Sequence, residues 1–243
     1  MSATSGARAR ARLEVTAAIK DEARRQLEQE GAARLSLRSV ARELGMVSSA
    51  LYRYFASRDD LLTALIIDAY DALGAAAESA HAEVADEDPR ERWHTVCTAV
   101  RAWALAKPHE YALIYGSPVP GYRAPQVTVD SAARVGELLL SVLRDAHERG
   151  APGAPPLPPP LKPEGERMVE TFAPGLPPET AVAFTMAWAE LFGLISFELF
   201  GQFEGVVLGR DAFFGHAVDR LADSVGLPAA GRPAGERADR TAR

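Results

Sequence analysis

Apolar residues recur three and four positions apart along almost the whole chain of 243 residues, and this spacing constrains the fold more than any other feature. It places apolar side chains on one face of each successive helix. The features typical of strands, which are alternating apolar and polar runs and hairpin turns, are missing. The hydrophobic content of 47% and the charged content of 25% are those of a folded soluble protein. We therefore expect an all-α fold.

Glycine, serine and proline residues divide this pattern into separate helices. We expect Ser36 and Ser57 to cap the helices that follow them, and Gly45 to end the helix before it. The proline-rich stretch at residues 150–165 is predicted to be neither helix nor strand, because proline lacks the amide donor. Helices are predicted at about residues 12–30, 37–44, 48–55 and 58–73, from Pro89 onward, and at 127–149, 178–203 and 211–225.

Charge is distributed unevenly along the chain. Residues 1–60 carry 11 Lys and Arg against 8 Asp and Glu, a net charge of +3, while the remaining residues carry −9. A basic N-terminal unit on an acidic body is typical of a protein that contacts phosphates with one end only. A chance imbalance is the alternative interpretation.

Residues 37–55 are predicted to form a helix, a tight turn at Gly45 and a second, short helix. This is the spacing of a helix-turn-helix unit, whose second helix enters the DNA major groove. Leu51 and Phe55, four positions apart, are expected to anchor the short helix to the core, because an isolated helix of this length is marginal in water. Small helices joined by glycine turns are also common in all-α proteins without any role in DNA binding.

The polar residues of this corner suit DNA. Ser48 and Ser49 are small enough for the backbone to approach base edges, and their hydroxyls donate or accept hydrogen bonds. The "YRY" at residues 52–54 is expected on or near the outer side, where phenols and guanidinium groups reach phosphates or guanine. Arg58, at the start of the next helix, is expected to hold a phosphate together with free amide groups.

The segments "LSLRSVARELG", "LYRYF" and "SRDDLL" resemble the N-terminal domain of the tetracycline-repressor (TetR) family of transcriptional regulators, and the resemblance covers residues 12–62. It implies that a three-helix DNA-binding domain precedes a larger helical domain for ligand binding and dimerisation. Tyr54 stands where histidine is commonest in the family. Its phenol, like an imidazole, can donate a hydrogen bond to a phosphate. Val47 stands where Ser or Thr usually caps the recognition helix, so Ser48 is the alternative cap. The implied DNA contacts are Ser36, Ser48, Ser49, Tyr52, Arg53, Tyr54 and Arg58.

The rest of the chain is similar to the C-terminal domain of a TetR-family subgroup named for a Trp-His-Gly motif, with Phe192 in the histidine position. The resemblance implies a small-molecule effector and a homodimer built from the last two helices, and it implies no cofactor. The apolar surface of the 178–203 helix, which exceeds what a monomer easily covers, agrees with a dimer. Aromatic and other apolar side chains suit an effector pocket, although tryptophans at helical spacing are more often ordinary core. The candidate pocket residues are Trp93, Cys97, Trp103, Tyr111, Tyr115, Trp188 and Phe192.

The predicted organisation is therefore a DNA-binding domain at residues 10–60, an effector and dimerisation domain at 61–227, and a disordered tail at 228–243. The expected function is that of a ligand-responsive repressor that binds a palindromic operator as a dimer. The alternative is a helical interaction protein whose DNA-reading unit is not functional.

Other classes of protein are disfavoured. The sequence has no nucleophile elbow, phosphate loop or zinc motif, so we expect no enzyme and no metal site. A single cysteine, Cys97, excludes an intrachain disulfide and favours the cytoplasm. The N-terminal stretch lacks the apolar core of a signal peptide. Glu190 and Glu198 interrupt the long apolar helix, so we interpret it as a buried helix in the core or a subunit interface and expect no membrane association.

Overall fold

The computed structural model of the chain describes residues 3–227, and within this range every regular element is helical, which confirms the all-α prediction. The tail predicted to be disordered, residues 228–243, lies outside the described residues. Short 3₁₀ turns lie at Ala32–Arg34, Gln126–Thr128 and Pro159–Leu161. The α-helices are α1 (Ala3–Glu30), α2 (Leu37–Glu43), α3 (Ser48–Leu51), α4 (Arg58–Glu83), α5 (Pro89–Ala106), α6 (Pro108–Tyr115), α7 (Val129–Glu148), α8 (Lys162–Thr171), α9 (Pro178–Leu199) and α10 (Arg210–Ser224).

Most of the predicted helix ends are found where the local chemistry placed them. Gly31 and Gly45 adopt φ values of 76° and 65°, the left-handed conformation that a side chain disfavours. The Ser57 hydroxyl accepts a hydrogen bond of 3.1 Å from the backbone N–H of Asp60, so it caps α4. Ser36 occupies the corresponding position before α2, but its hydroxyl makes no capping hydrogen bond, and that prediction is wrong.

Several helices differ from the sequence prediction, since α3 ends at Leu51 and not at residue 55, and α4 continues to Glu83 and not to residue 73. Helix α1 begins at Ala3 and not near Arg12, because the added turns consist mostly of alanine and arginine, which are strong helix formers. The proline-rich stretch, predicted to be free of helix, contains the 3₁₀ turn at Pro159–Leu161 and the start of α8. Proline is tolerated in the first turn of a helix, where its missing N–H has no partner in any case.

The chain divides into two compact units. The first comprises the residues up to Ala72 together with Lys107–Ala132, and the second comprises Leu73–Ala106 together with the residues from Ala133 onward. The first unit therefore includes α6 in addition to the segment predicted to bind DNA. The functional boundary at residue 60 stays a prediction.

The core of the first unit forms around α1 and the residues that follow it. Ile19, Leu51, Leu61 and Leu62 are fully buried, and Phe55 is 8% exposed. The predicted anchors of the short helix are thus both in the core, which confirms their assignment. Since α3 is four residues long, its position depends on this packing and not on its own helical stability.

The second unit packs α9 against α5, α8 and α10. Val96 and Val100 of α5, Ile195 of α9 and Val218 of α10 are all completely buried. An ion pair crosses the same helices, because the Arg101 guanidinium donates hydrogen bonds of 2.7 Å to each carboxylate oxygen of Glu198. Glu198, one of the charged residues expected to interrupt an apolar helix, is therefore buried with a partner.

Candidate DNA-binding surface

A tight turn joins α2 to α3 and sets the direction of the short helix. The N–H of Gly45 donates to the Arg42 carbonyl at 3.1 Å, and the N–H of Met46 donates to the Ala41 carbonyl at 2.8 Å. Val47 is the residue that precedes α3, and no side chain caps that helix. The recognition helix therefore starts at Ser48. Residues 48–54, which comprise α3 and the turn after it, are called the recognition segment below.

The recognition segment presents polar side chains that have no partner in the described part of the chain. Ser48, Ser49, Tyr52 and Arg53 are exposed, and their side chains make no hydrogen bond or ion pair within residues 3–227. Tyr52 is 46% exposed although Leu51 beside it is fully buried. This arrangement leaves hydroxyl, phenol and guanidinium donors directed away from the core and available to another molecule.

Tyr54 lies only partly on the outer side. Its ring is half-buried, and the Arg12 guanidinium lies over it at 5.1 Å from the ring centroid, a cation–π contact. Arg12 also donates a hydrogen bond of 3.1 Å to the backbone carbonyl of Arg53. The first helix thus holds the end of the recognition segment, a link that the helical periodicity of the sequence does not indicate.

Arg58 has a different environment from the one expected. Its guanidinium donates hydrogen bonds to the backbone carbonyls of Ala32 at 2.8 Å, Ala33 at 3.3 Å and Leu35 at 3.1 Å, and it pairs with Asp59. The amide of Asp60 is occupied by the Ser57 cap. These contacts tie the turn before α2 to the start of α4. They favour a positioning role for Arg58 over the phosphate grip that its sequence position suggests.

An open depression brings three of the predicted residues together. Ser36, Tyr52 and Arg58 line it, and its volume is about 520 Å³. Arg38, which the sequence prediction missed, lines the same depression, is exposed and has no partner among the described residues. Residues two apart lie on nearly opposite sides of a helix, so helical spacing does not indicate that Arg38 joins Ser36 at this depression.

Two consecutive parts of the chain match known families. Residues 19–65 match the family described as bacterial regulatory proteins, tetR family, and residues 93–221 match the tetracyclin repressor-like C-terminal domain. The second match alone covers more than half of the 243 residues. The chain belongs to the TetR family. It is a helix-turn-helix transcriptional regulator, and the expectation that it is not an enzyme is confirmed by the family to which it belongs.

Several known proteins resemble the chain over most of its length. It is 41% identical over 206 residues to the HTH-type transcriptional regulators Mb1846 of Mycobacterium bovis and Rv1816 of Mycobacterium tuberculosis, an alignment that covers 82% of this chain and 86% of each relative. The crystal structure of the regulatory protein SCO4313 has a TM-score of 0.71 at 35% identity and covers 88% of this chain and 98% of that one. The TetR-family regulator PfmR of Thermus thermophilus shares the fold, with a TM-score of 0.55 at 20% identity.

The residues predicted to line an effector pocket are distributed between the two units. Tyr111 and Tyr115 belong to the first unit, where their ring centroids are 5.2 Å apart and Tyr70 meets Tyr115 edge-on at 6.0 Å. Burial, followed by the proximity of Tyr70 and Tyr111, raises the pKa of the Tyr115 phenol well above its ordinary value. The phenol therefore stays neutral at physiological pH.

The other candidates belong to the second unit. The ring centroids of Trp188 and Phe192 on α9 are 4.5 Å apart with the rings tilted by 49°, and the Phe184 centroid lies 6.0 Å from that of Trp188. Trp103 is half-buried, while Trp93 and Cys97 are inaccessible on α5. Burial raises the pKa of the Cys97 thiol, so it is not a reactive thiolate. A shared cavity for the seven residues stays a prediction.

Trp93 carries an unusual polar atom. Its indole Nε1–H is buried and has no hydrogen-bond partner within the described residues. Leaving a buried donor unsatisfied costs about 1–3 kcal/mol, so such groups are rare in protein interiors. Trp93 was a candidate pocket residue because of its aromatic side chain. The unsatisfied indole donor is visible only in the structure.

One helix among residues 3–227, Pro178–Leu199, is long and apolar enough to cross a membrane by length and composition alone. It contains Glu198, whose carboxylate is held by Arg101 inside the second unit. The family consists of DNA-binding regulators. We therefore assign this helix to the folded protein, where one side is buried and the other exposed, and not to a membrane.

Proposed function

We propose that the protein is a repressor that binds a palindromic operator as a homodimer and is released by a small-molecule effector. The observation that carries the proposal is the recognition segment, which presents unpartnered donors over the buried Leu51. Serines at the start of the segment suit base edges in the major groove. Tyr52 and Arg53, further along it, suit phosphates, which position the protein on the duplex.

The neighbouring residues complete this surface in different ways. Arg38 and Ser36 lie beside Tyr52 around the open depression and supply further donors to a phosphate. Arg58 acts indirectly, since it holds the turn before α2 through three backbone carbonyls. Tyr54 contributes through its contact with Arg12 as well as through its phenol.

The dimer proposal is supported by exposed apolar side chains on the last two helices. Met186 and Phe197 of α9 are 68% and 51% exposed, and Phe213 of α10 is 42% exposed. Phe203 lies between Phe197 and Phe213, with ring centroids 5.7 and 5.5 Å away, and exposed apolar patches of this kind mark interaction sites in soluble proteins. A two-fold dimer would match the two halves of a palindromic operator.

The effector proposal is supported by the unsatisfied Nε1–H of Trp93. An effector with an apolar body and a hydrogen-bond acceptor would satisfy this donor, as the polar groups of ligand sites commonly do. The effector would shift the dimer toward a state that no longer fits the operator, by as much as its affinities for the two states differ.

The proposed location is the cytoplasm, because the protein belongs to a family of soluble DNA-binding regulators.

Operator binding is tested by titrating DNA from upstream of the protein's own gene at two salt concentrations. We expect tight, sequence-preferring binding with a steep negative salt dependence, because phosphate contacts release counterions. Tyr52→Ala and Tyr52→Phe should both weaken it by about tenfold or more, since hydrogen bonds to charged groups contribute about 1.5–3 kcal/mol.

Tyr52→Phe is the matched control for this measurement because it keeps the ring and removes only the phenol donor. Wild-type affinity in Tyr52→Phe, with a loss in Tyr52→Ala, would assign the contact to ring packing and contradict the phosphate role. Absence of sequence-preferring binding by the folded protein at any salt concentration would favour the alternative, an interaction protein with a non-functional DNA-reading unit.

A further inference from the structure

The first three turns of α1 extend beyond the core of the first unit. The core residues of this helix start at Ile19, whereas every residue described from Gly6 to Glu14 is exposed. Arg12 marks the point where these turns meet the recognition segment, through its hydrogen bond to the Arg53 carbonyl and its contact with the Tyr54 ring. The residues before Arg12 therefore lie outside the core, and Arg12 connects their helix to the end of the recognition segment.

Charge is arranged unequally on the two faces of these turns. Residues four apart on a helix are neighbours, so Arg8 lies on the face of Arg12 whereas Arg10 lies on the face of Glu14. The first face is doubly positive and the second is neutral. Arg8 and Arg10 make no hydrogen bond or ion pair within residues 3–227, so neither guanidinium has a structural role there.

We infer that the Arg8 face of α1 is a second DNA contact, which binds the phosphate backbone of the duplex that flanks each operator half-site. The inference rests on the proposed function, because it assumes that the recognition segment is on DNA. Arg12 fixes the direction of the projecting turns by holding Arg53 and Tyr54. Arg8, about 6 Å further along the helix axis at about 1.5 Å per residue, is then the next cation available to the duplex.

The size of the added contact is limited by the length of the projecting turns. From Ala3 to Arg12 the helix rises by about 14 Å, which corresponds to about four base pairs at about 3.4 Å each. The contact is made to phosphates, because they lie along the flank whatever its base sequence. It therefore extends the footprint and the affinity without adding sequence preference.

The test compares Arg8→Ala with Arg10→Ala, which remove the same charge from opposite faces of the same helix. Alanine is the best helix former, so both variants keep α1 helical. The probes are two duplexes that carry an operator recovered by selection from a random-sequence pool. One has about ten base pairs of flank on each side, about one helical turn, and the other ends at the half-sites.

On the flanked duplex, Arg8→Ala should lower affinity on the order of three- to tenfold and reduce the slope of log affinity against log salt by about 0.9 per protomer. On the short duplex, wild type and Arg8→Ala should bind equally. Arg10→Ala should match wild type on both. Wild-type behaviour of Arg8→Ala on the flanked duplex, or equal losses in both variants, overturns the inference while operator binding stands. Failure of the wild type to select any duplex overturns the operator proposal and this inference together.

Discussion

Leu51→Ala is expected to remove most operator binding without any change to a residue that touches DNA. Leu51 is completely buried and is the main apolar side chain of a helix only four residues long. Truncation of a buried leucine to alanine costs about 2–5 kcal/mol. Because the short helix has little stability of its own, the recognition segment would be correctly packed in only a fraction of the molecules. The apparent affinity for the operator is proportional to that fraction, so we expect it to fall about tenfold or more. Urea unfolding and DNA titration measure the two effects.

Val47→Ala is the control for Leu51→Ala, since Val47 adjoins the same helix but is 71% exposed. Its effect on stability should stay within about 0.5 kcal/mol, as for most surface substitutions. If Leu51→Ala bound the operator as wild type does, the recognition segment would not depend on its core anchor, and the account of how this corner is held would be wrong.

Arg101→Met is expected to destabilise the second unit by about 3–5 kcal/mol, because it leaves the carboxylate of Glu198 buried without its partner. The Glu198 side chain is 7% exposed and that of Arg101 is 12% exposed. The hydrogen bonds that Arg101 donates to Glu198 raise the pKa of the guanidinium, so Arg101 stays charged at physiological pH. Chemical denaturation monitored by tryptophan fluorescence measures the loss.

The control for Arg101→Met is Arg167→Met, which breaks the surface pair with Glu164 on α8. An exposed pair contributes about 0–1 kcal/mol, so the two variants should differ clearly. The double variant Arg101→Met with Glu198→Met should recover much of the stability, because replacing both members of a buried pair by apolar residues is often neutral. A loss in the double variant as large as in Arg101→Met would show that the helices fail to pack for a reason other than the unpaired charge.

The parts of the fold that follow from local chemistry were predictable from the sequence. Leu51 and Phe55 were recognisable as core anchors because apolar residues four apart lie on one helix face. Gly45 was recognisable as the turn, and the structure gives it a φ of 65°. Ser57 was recognisable as the cap of α4, which its hydrogen bond to Asp60 confirms. Each of these depends on a few neighbouring residues only.

The roles that depend on distant parts of the chain were not predictable. From the sequence, Arg58 was predicted to bind a phosphate. In the structure its guanidinium donates to backbone carbonyls of the turn before α2, more than twenty residues away in the chain. The sequence does not distinguish Arg12 from the other basic residues of the first helix, whereas in the structure its guanidinium lies over the Tyr54 ring. The missing partner of the Trp93 indole is likewise a property of everything packed around it. Helical periodicity carries no information about such contacts.

Selection of duplexes from a random-sequence pool by the wild-type protein tests the central claim most directly. A homodimer with two copies of the recognition segment predicts that an inverted repeat is enriched, with half-sites about one helical turn apart, or a multiple of it. Enrichment of a single unrepeated half-site would contradict the dimer. Recovery of no preferred sequence by the folded protein would contradict the claim that this surface reads DNA.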